Sequence, residues 1–189
     1  MRTWEYENYE EYLKHQNATT LKKNNWVYAQ KHTLKKIADY KGFTVKNILC
    51  HGTRAAGEQK YFAELYPNAY IIGSEICETA ENFPMTKRWD FNKPLKEWIG
   101  KFDVIYTNSF DHTITPMETL EVWKNQLNLG GTLFLEYSAK KSVYHPNDPL
   151  DATNDEVKQM IIDNNMIIRG EISEDVKHKG KVFICEVSR

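Results

Sequence analysis

Asn47-Ile48-Leu49-Cys50-His51-Gly52-Thr53-Arg54-Ala55-Ala56-Gly57 is an apolar run that breaks into a turn of small residues and leads into an amphipathic stretch. A buried strand, a glycine-bearing turn and a helix, in that order, is how α/β proteins open a nucleotide pocket. Two carboxylates follow near the ends of later apolar runs: Glu75 after Ile71-Ile72-Gly73-Ser74, and Asp90 within Arg88-Trp89-Asp90-Phe91. An acid at the exit of the second strand suits a ribose, whose adjacent hydroxyls are two donors for an acceptor pair. An acid one strand further on suits an exocyclic amine such as that of adenine.

Outward from this stretch, short apolar runs alternate with helical patterns. The strands are expected at Asn47–His51, 69–74, 86–91, 103–107, 131–137, 166–172 and Lys181–Val187, and the helices at 55–65, 93–99, 116–127 and 153–164. Alternating strand and helix predicts a mostly parallel sheet covered on both faces. Only the polar turn 173–180 separates the last two runs, too little for a helical crossover, so they form an antiparallel hairpin. The expectation is a three-layer α/β fold with a seven-stranded sheet. Residues 1–42 read as a helical segment packed on a domain of 43–189, with apolar positions Leu21, Trp26, Tyr28, Leu34, Ile37 and Ala38. Asn17 or Thr19 is the expected cap of its second helix, and Lys41-Gly42 the end of that helix. The long loop 138–152, with Tyr144, His145 and Asp148, leaves the carboxyl end of a central strand and reads as a lid.

A chain of 189 residues is enough for one domain with its own core. The net charge of −1 gives no general attraction to nucleic acid or anionic lipid, so a polynucleotide partner is not expected. Cys50, Cys77 and Cys185 have no metal-ligand spacing and sit in or beside apolar runs, as buried free thiols do. The first residues have no apolar core, and no run nears the roughly 20 residues of a membrane span. These features predict a cytoplasmic protein without a membrane partner.

From about residue 44 onward the chain resembles class I S-adenosylmethionine-dependent methyltransferases, with their Rossmann-like fold. Residues 48–54 stand where that family has its glycine-rich first turn, and Ile71-Ile72-Gly73-Ser74-Glu75-Ile76 is similar to the second strand with its ribose acid. Arg88-Trp89-Asp90-Phe91 resembles the segment that frames adenine. Phe102-Asp103-Val104-Ile105-Tyr106-Thr107-Asn108-Ser109 is similar to the fourth strand, whose end abuts the transferred methyl. Gly130-Gly131-Thr132-Leu133-Phe134-Leu135 resembles the fifth strand and its turn, and the final hairpin the sixth and seventh. The chain departs from the pattern at Cys50, where the family often has an acid, at Arg54 in place of the second glycine, and at Ala56 unless Gly57 serves as the third.

The resemblance implies S-adenosylmethionine as cofactor, with His51, Gly52, Thr53, Arg54, Glu75, Ile76, Trp89, Asp90, Phe91, Asn108 and Ser109 around it. Arg54 either meets the carboxylate of the methionine part or pairs at the surface. Without an acid at position 50, His51 or the Asn108 carbonyl has to receive the amino group. Trp89 and Phe91 are placed to flank the adenine and Ile76 to cover its other side. Transfer to a hydroxyl or ammonium needs a proton acceptor, and histidine titrates near neutrality. His112, with Asp111 beside it, is the candidate base. A metal site is not expected, since His112, Glu136, His145 and Asp148 have no compact spacing. The near-zero net charge and the small added N-terminal segment favour a small or sugar-like acceptor over a nucleic acid. Asn108-Ser109-Phe110-Asp111 lacks the Asn/Asp-Pro-Pro-aromatic sequence of base-amino methylation. The alternative is a non-catalytic protein of the same fold that binds S-adenosylmethionine or S-adenosylhomocysteine.

Overall fold

The computed structural model describes residues 1–139, 145–173 and 180–188. In chain order its elements are β1 (Arg2–Thr3), α1 (Tyr9–Lys22), α2 (Lys31–Lys41), β2 (Asn47–His51), α3 (Gly57–Leu65), β3 (Tyr70–Glu75) and β4 (Thr86–Arg88). They continue with β5 (Phe102–Thr107), α4 (Pro116–Gln126), β6 (Leu127–Tyr137), β7 (Leu150–Asp151), α5 (Asn154–Asp163), β8 (Met166–Ser173) and β9 (Lys181–Val187).

Seven strands form one sheet in the order β4-β3-β2-β5-β6-β9-β8. The five from β4 to β6 are parallel, while β9 runs antiparallel to both β6 and β8. Strand order reverses between β2 and β5, the place where an open α/β sheet leaves a crevice at its carboxyl edge. Both faces are buried. Ile48 and Cys50 join one apolar cluster with Val104, Tyr106 and Phe134. Leu49 joins the other with Ile105, Leu133 and Trp123. Residue-by-residue alternation between two cores explains why these strands read as unbroken apolar runs.

The structure departs from the expected elements at specific residues. β4 ends at Arg88 because Asp90 turns the chain, its carboxylate accepting from the Asn92 N–H at 2.9 Å and its carbonyl from the Lys93 N–H at 3.0 Å. Of the helix expected at 93–99 only a single turn, Lys96–Trp98, forms, because Pro94 disfavours helical backbone before it and Gly100 follows in a left-handed conformation. Asn17 and Thr19 lie inside α1 and cap nothing. Asn8 caps α1 through the Glu11 N–H, and Gln30 begins α2 without a side-chain cap. Gly42, at φ 71°, ends α2. Leu34 and Ile37 are fully buried, whereas Leu21, Trp26 and Tyr28 are exposed. The hairpin β8–β9 forms as expected, with most of its turn outside the described residues. A feature absent from the sequence reading is a second, two-stranded sheet in which β1 pairs with β7.

α1 does not lie on a face of the main sheet. Its buried residues are Tyr12, Gln16, Thr19 and Thr20, a largely polar set. Tyr12 donates to the carbonyl of His112 at 3.2 Å and Gln16 to that of Asn147 at 3.2 Å, which stretches the helix across the carboxyl edge of the strands. Among the described residues no helix is long and apolar enough to cross a membrane. Cys50, Cys77 and Cys185 are buried and free. Burial pushes the Cys50 and Cys185 thiols up and away from reactivity.

His51 ends β2 inside the core, 1% exposed. Its ring bonds Ser74 Oγ at 2.7 Å and Gln126 Oε1 at 2.9 Å and stacks on Trp123 at 5.1 Å. Burial lowers its pKa to about 4. The unfolded chain, whose histidine titrates near 6.5, therefore takes up a proton that the folded chain refuses. This contribution is present above about pH 6.5 and is lost as pH falls towards 4, with a full size of roughly 3 kcal/mol. Urea unfolding at pH 7 and pH 4.5 is expected to show His51→Gln losing less stability on acidification than the parent. Equal losses would contradict the assignment.

Candidate active site at the carboxyl edge of the sheet

The turn after β2 passes three times through left-handed backbone, at Gly52 (φ 70°), Arg54 (φ 42°) and Ala56 (φ 57°). The N–H groups of Gly52 and Thr53 donate to the Ser74 carbonyl at 2.9 and 3.1 Å, which binds the turn to β3. Glycine is required at position 52 for space as well as angle, because an added Cβ would lie 2.5 Å from Ser109 Cβ. At Arg54 and Ala56 a side chain in this conformation costs about 1–2 kcal/mol each. The positions that resemble the family's second and third glycines thus keep a glycine-like backbone without glycine.

Glu75, at the end of β3, is buried. One oxygen accepts from the Arg54 N–H at 2.8 Å and the other from the Cys77 N–H at 3.0 Å. The carboxylate is fixed in orientation, and each oxygen keeps a second lone pair. Asp90 is also buried; one oxygen takes the N–H and side-chain amide of Asn92, and the other accepts from the Tyr9 hydroxyl at 2.7 Å. Glu75, Ile76, Asp90 and Phe91 line a small cavity of about 30 Å³ roofed by Tyr12, Gln16, Thr19 and Thr20 of α1.

A larger cavity of about 450 Å³ lies beside it. Gly52, Arg54, Ser109 and His112 line both, so they form the junction. The larger cavity is also bordered by Thr53, Asn108 and Asp111, by the aromatic rings of Trp26 and Tyr28, and by Glu58, Glu136 and Asp148. Ser109 precedes and His112 ends a short turn, Phe110–His112, that follows β5. His112 Nε2 is 3.8 Å from a carboxylate oxygen of Asp111 and 3.8 Å from one of Asp148. Glu58, in the first turn of α3, is 5% exposed and burial raises its pKa to about 7.

The sequence reading assigned His51 and Trp89 to the cofactor. The structure turns both side chains elsewhere. Both ring nitrogens of His51 are engaged within the core. Trp89, half-buried, donates its indole N–H to the Lys93 carbonyl at 2.9 Å and lines neither cavity. Phe91 does reach the small cavity, beside Ile76. The Thr53 hydroxyl accepts from Gln59 at 2.9 Å, so that side chain supports the turn. Of the residues weighed for a metal, Glu136 accepts from the Tyr106 hydroxyl at 2.5 Å and His145 Nδ1 from the Asn147 N–H at 3.1 Å. The grouping that forms is Asp111, His112 and Asp148, whose potential ligand atoms lie within 4.8 Å of one another. Of the loop 138–152 expected as a lid, residues 138, 139 and 145–152 are described, and Tyr144 lies outside the described residues. Sequence reasoning missed Glu58, whose signal was a carboxylate just past the turn. The helical segment 1–42 is expected from the sequence to pack over the cofactor edge or help shape the acceptor pocket, and α1 lines the small cavity.

No protein-family model matches the chain, and no curated protein matches it in sequence. Its fold is nevertheless shared with solved methyltransferase structures. Burkholderia thailandensis 1,6-didemethyltoxoflavin-N1-methyltransferase, with bound 1,6-didemethyltoxoflavin and S-adenosylhomocysteine, superposes with a TM-score of 0.76 at 10% identity, over 98% of this chain and 93% of that one. Magnesium protoporphyrin IX methyltransferase from Synechocystis PCC 6803, with bound S-adenosylmethionine, gives 0.67 at 12% identity, over 98% and 100%. The CurJ carbon methyltransferase gives 0.62 at 14% identity over 84% of this chain; the chain spans about half of that protein, 53%. The chain therefore has the Rossmann-like fold of class I S-adenosylmethionine-dependent methyltransferases, with the seven-stranded sheet and the closing antiparallel hairpin.

Proposed function

We propose that this chain is an S-adenosylmethionine-dependent methyltransferase acting on a small-molecule acceptor. The observation that carries the reading is the pair of joined cavities. The small one presents two oriented carboxylates, Glu75 and Asp90, and the large one gathers Asp111 and Asp148 beside the shared His112. The small cavity as it stands has room for about one water. In this reading α1 therefore moves off Glu75 and Asp90 to admit a nucleoside with a sulfonium arm, with ribose on Glu75, adenine amine on Asp90, and Ile76 and Phe91 against the ring. The buried Asn108 Nδ2, which lacks a hydrogen-bond partner, adds a donor at the end of β5. Bound there, the sulfonium supplies an electrophilic methyl group. The residues of the chain then orient the acceptor and remove its proton, with His112 as base and Asp111 and Asp148 beside the ring where the proton arrives.

The acidic side chains around the large cavity disfavour a phosphodiester acceptor. Trp26 and Tyr28 give the large cavity an aromatic border that suits an organic acceptor. The test is isotopic methyl transfer from S-adenosylmethionine into small metabolites and into RNA, with release of S-adenosylhomocysteine monitored. Labelled small molecules support the reading. Label in RNA alone overturns the acceptor class, and binding without any transfer favours the non-catalytic alternative.

In this reading the Tyr9 hydroxyl occupies the acceptor that adenine needs. Tyr9→Phe is expected to strengthen adenosine binding about threefold to tenfold, the size of one net hydrogen bond. Purine riboside, which lacks the amine, is expected to show no gain. An equal gain for both nucleosides in calorimetry would contradict the contact.

A further inference from the structure

The side of the large cavity that carries Glu58 and Glu136 takes no part in the contacts described so far. Glu58, in the first turn of α3, is only 5% exposed, and its Oε2 finds no hydrogen-bond partner among the described residues. Burying an acceptor without a donor is costly, so this carboxylate calls for a donor that arrives with a ligand. Glu136, near the end of β6, lines the same cavity, and the Tyr106 hydroxyl orients its carboxylate by donating to one oxygen at 2.5 Å. The two acids are near enough to feel one another: burial first, and then Glu136, push the pKa of Glu58 up. Two such carboxylates are stabilised in their charged forms by a cation that reaches both.

Charge and shape give that cation its character. Among the described residues the large cavity is lined by four carboxylates, Glu58, Asp111, Glu136 and Asp148, against two cations, Lys23 and Arg54. The aromatic border is fixed beside Glu58. Trp26 and Tyr28 stand on either side of Val27, and the Val27 side chain packs directly on Gly57, where an added Cβ would lie 2.3 Å from Val27 Cγ1. The missing side chain at position 57 thus lets the aromatic pair sit at the start of α3. These rings already receive positive charge. Lys23 Nζ is 5.9 Å from the centre of Trp26 and 5.8 Å from that of Tyr28, and the Arg54 guanidinium is 5.3 Å from Tyr28. A cation within about 6 Å of a ring centre is attracted by the ring.

We propose that the acceptor is an aromatic molecule bearing a protonated amine, its ammonium held by Glu58 and Glu136 and its ring against Trp26 and Tyr28. The inference rests on the proposed function, whose acceptor class it narrows. The amine serves recognition here, and proton removal at the reacting atom stays with His112. An ammonium brings three donors to the two carboxylates, whereas an alcohol brings one and a carboxylate none. Its charge also favours the ionised form of Glu58, which burial opposes.

Calorimetry on the protein saturated with S-adenosylhomocysteine tests the preference with 2-phenylethylamine, 2-phenylethanol and phenylacetate, which share a ring and differ in the group that meets the carboxylates. The parent is expected to bind the amine at least about tenfold more tightly than the alcohol, the size of one hydrogen bond to a charged group, and phenylacetate more weakly than either. Glu58→Gln and Glu136→Gln are each expected to bring the ratio of amine to alcohol towards one. Binding of S-adenosylhomocysteine by the same variants shows that they are folded. An amine that fails to bind the parent, or binds no better than the alcohol or phenylacetate, overturns the inference and leaves the proposed function standing. A preference that persists in both variants does the same. A parent that does not bind S-adenosylhomocysteine overturns the proposed function, and the acceptor class with it.

Discussion

Replacing His112 by Asn is expected to lower turnover by about 100-fold to 10,000-fold, the span of general acid–base catalysis. S-adenosylmethionine affinity should stay within about twofold, because the proposed nucleoside contacts lie on Glu75 and Asp90. The expectation rests on position. His112 borders both cavities, so it lies where a methyl arriving from one side meets an acceptor from the other. Its backbone is held by the Tyr12 hydroxyl at 3.2 Å, and its ring lies 3.8 Å from carboxylate oxygens of Asp111 and Asp148. Asparagine keeps polarity and approximate size but accepts no proton at neutral pH. Steady-state rates with calorimetry on the same variant separate the two effects. Unchanged turnover would remove His112 as the base. Loss of turnover in the parent on adding a chelator would instead make the three residues a cation site.

Glu75→Gln is expected to weaken S-adenosylmethionine binding by about 100-fold, on the basis of one or two charge-assisted hydrogen bonds of about 1.5–3 kcal/mol. Both carboxylate oxygens already accept backbone N–H groups, from Arg54 and Cys77. An amide must turn its NH2 towards one of those donors, so the first turn loosens while the negative charge is lost. A fall in melting temperature accompanies the change and does not itself identify the ribose contact. The discriminating measurement compares adenosine with 2′-deoxyadenosine. The parent should prefer the ribonucleoside and the variant should not. A variant that keeps the preference would show that Glu75 only supports the turn.

Much of the sheet was legible because its central strands are buried on both faces. Asn47–His51 and Lys181–Val187 have the expected bounds, because continuous apolar runs between turn residues mark where these strands begin and end. The closing hairpin followed from the short polar turn between its strands. What escaped the sequence did so for identifiable reasons. Residues 1–42 read as helical, but the bounds and cap of α1 escaped, because its buried face of Tyr12, Gln16, Thr19 and Thr20 is polar and gives no apolar stripe to read. Arg2–Thr3 and Leu150–Asp151 are too short to show a period. Left-handed backbone at Arg54 and Ala56 is invisible without glycine, so a turn that looked degraded kept its shape. His51 read as a ligand because it precedes a glycine turn; its burial depends on Ser74, Trp123 and Gln126, which are far away in sequence.

The same contrast applies to the site. Glu75 and Asp90 were marked by strand ends, a local feature. Glu58 and the reach of α1 over Asp90 are tertiary and needed the fold. Titration calorimetry of the parent protein with S-adenosylmethionine, and separately with NAD, tests the central claim most directly. The joined cavities predict saturable one-to-one binding of S-adenosylmethionine that is weakened by Glu75→Gln, with no binding of NAD. Absence of S-adenosylmethionine binding by the folded protein, or tighter binding of NAD, would contradict it.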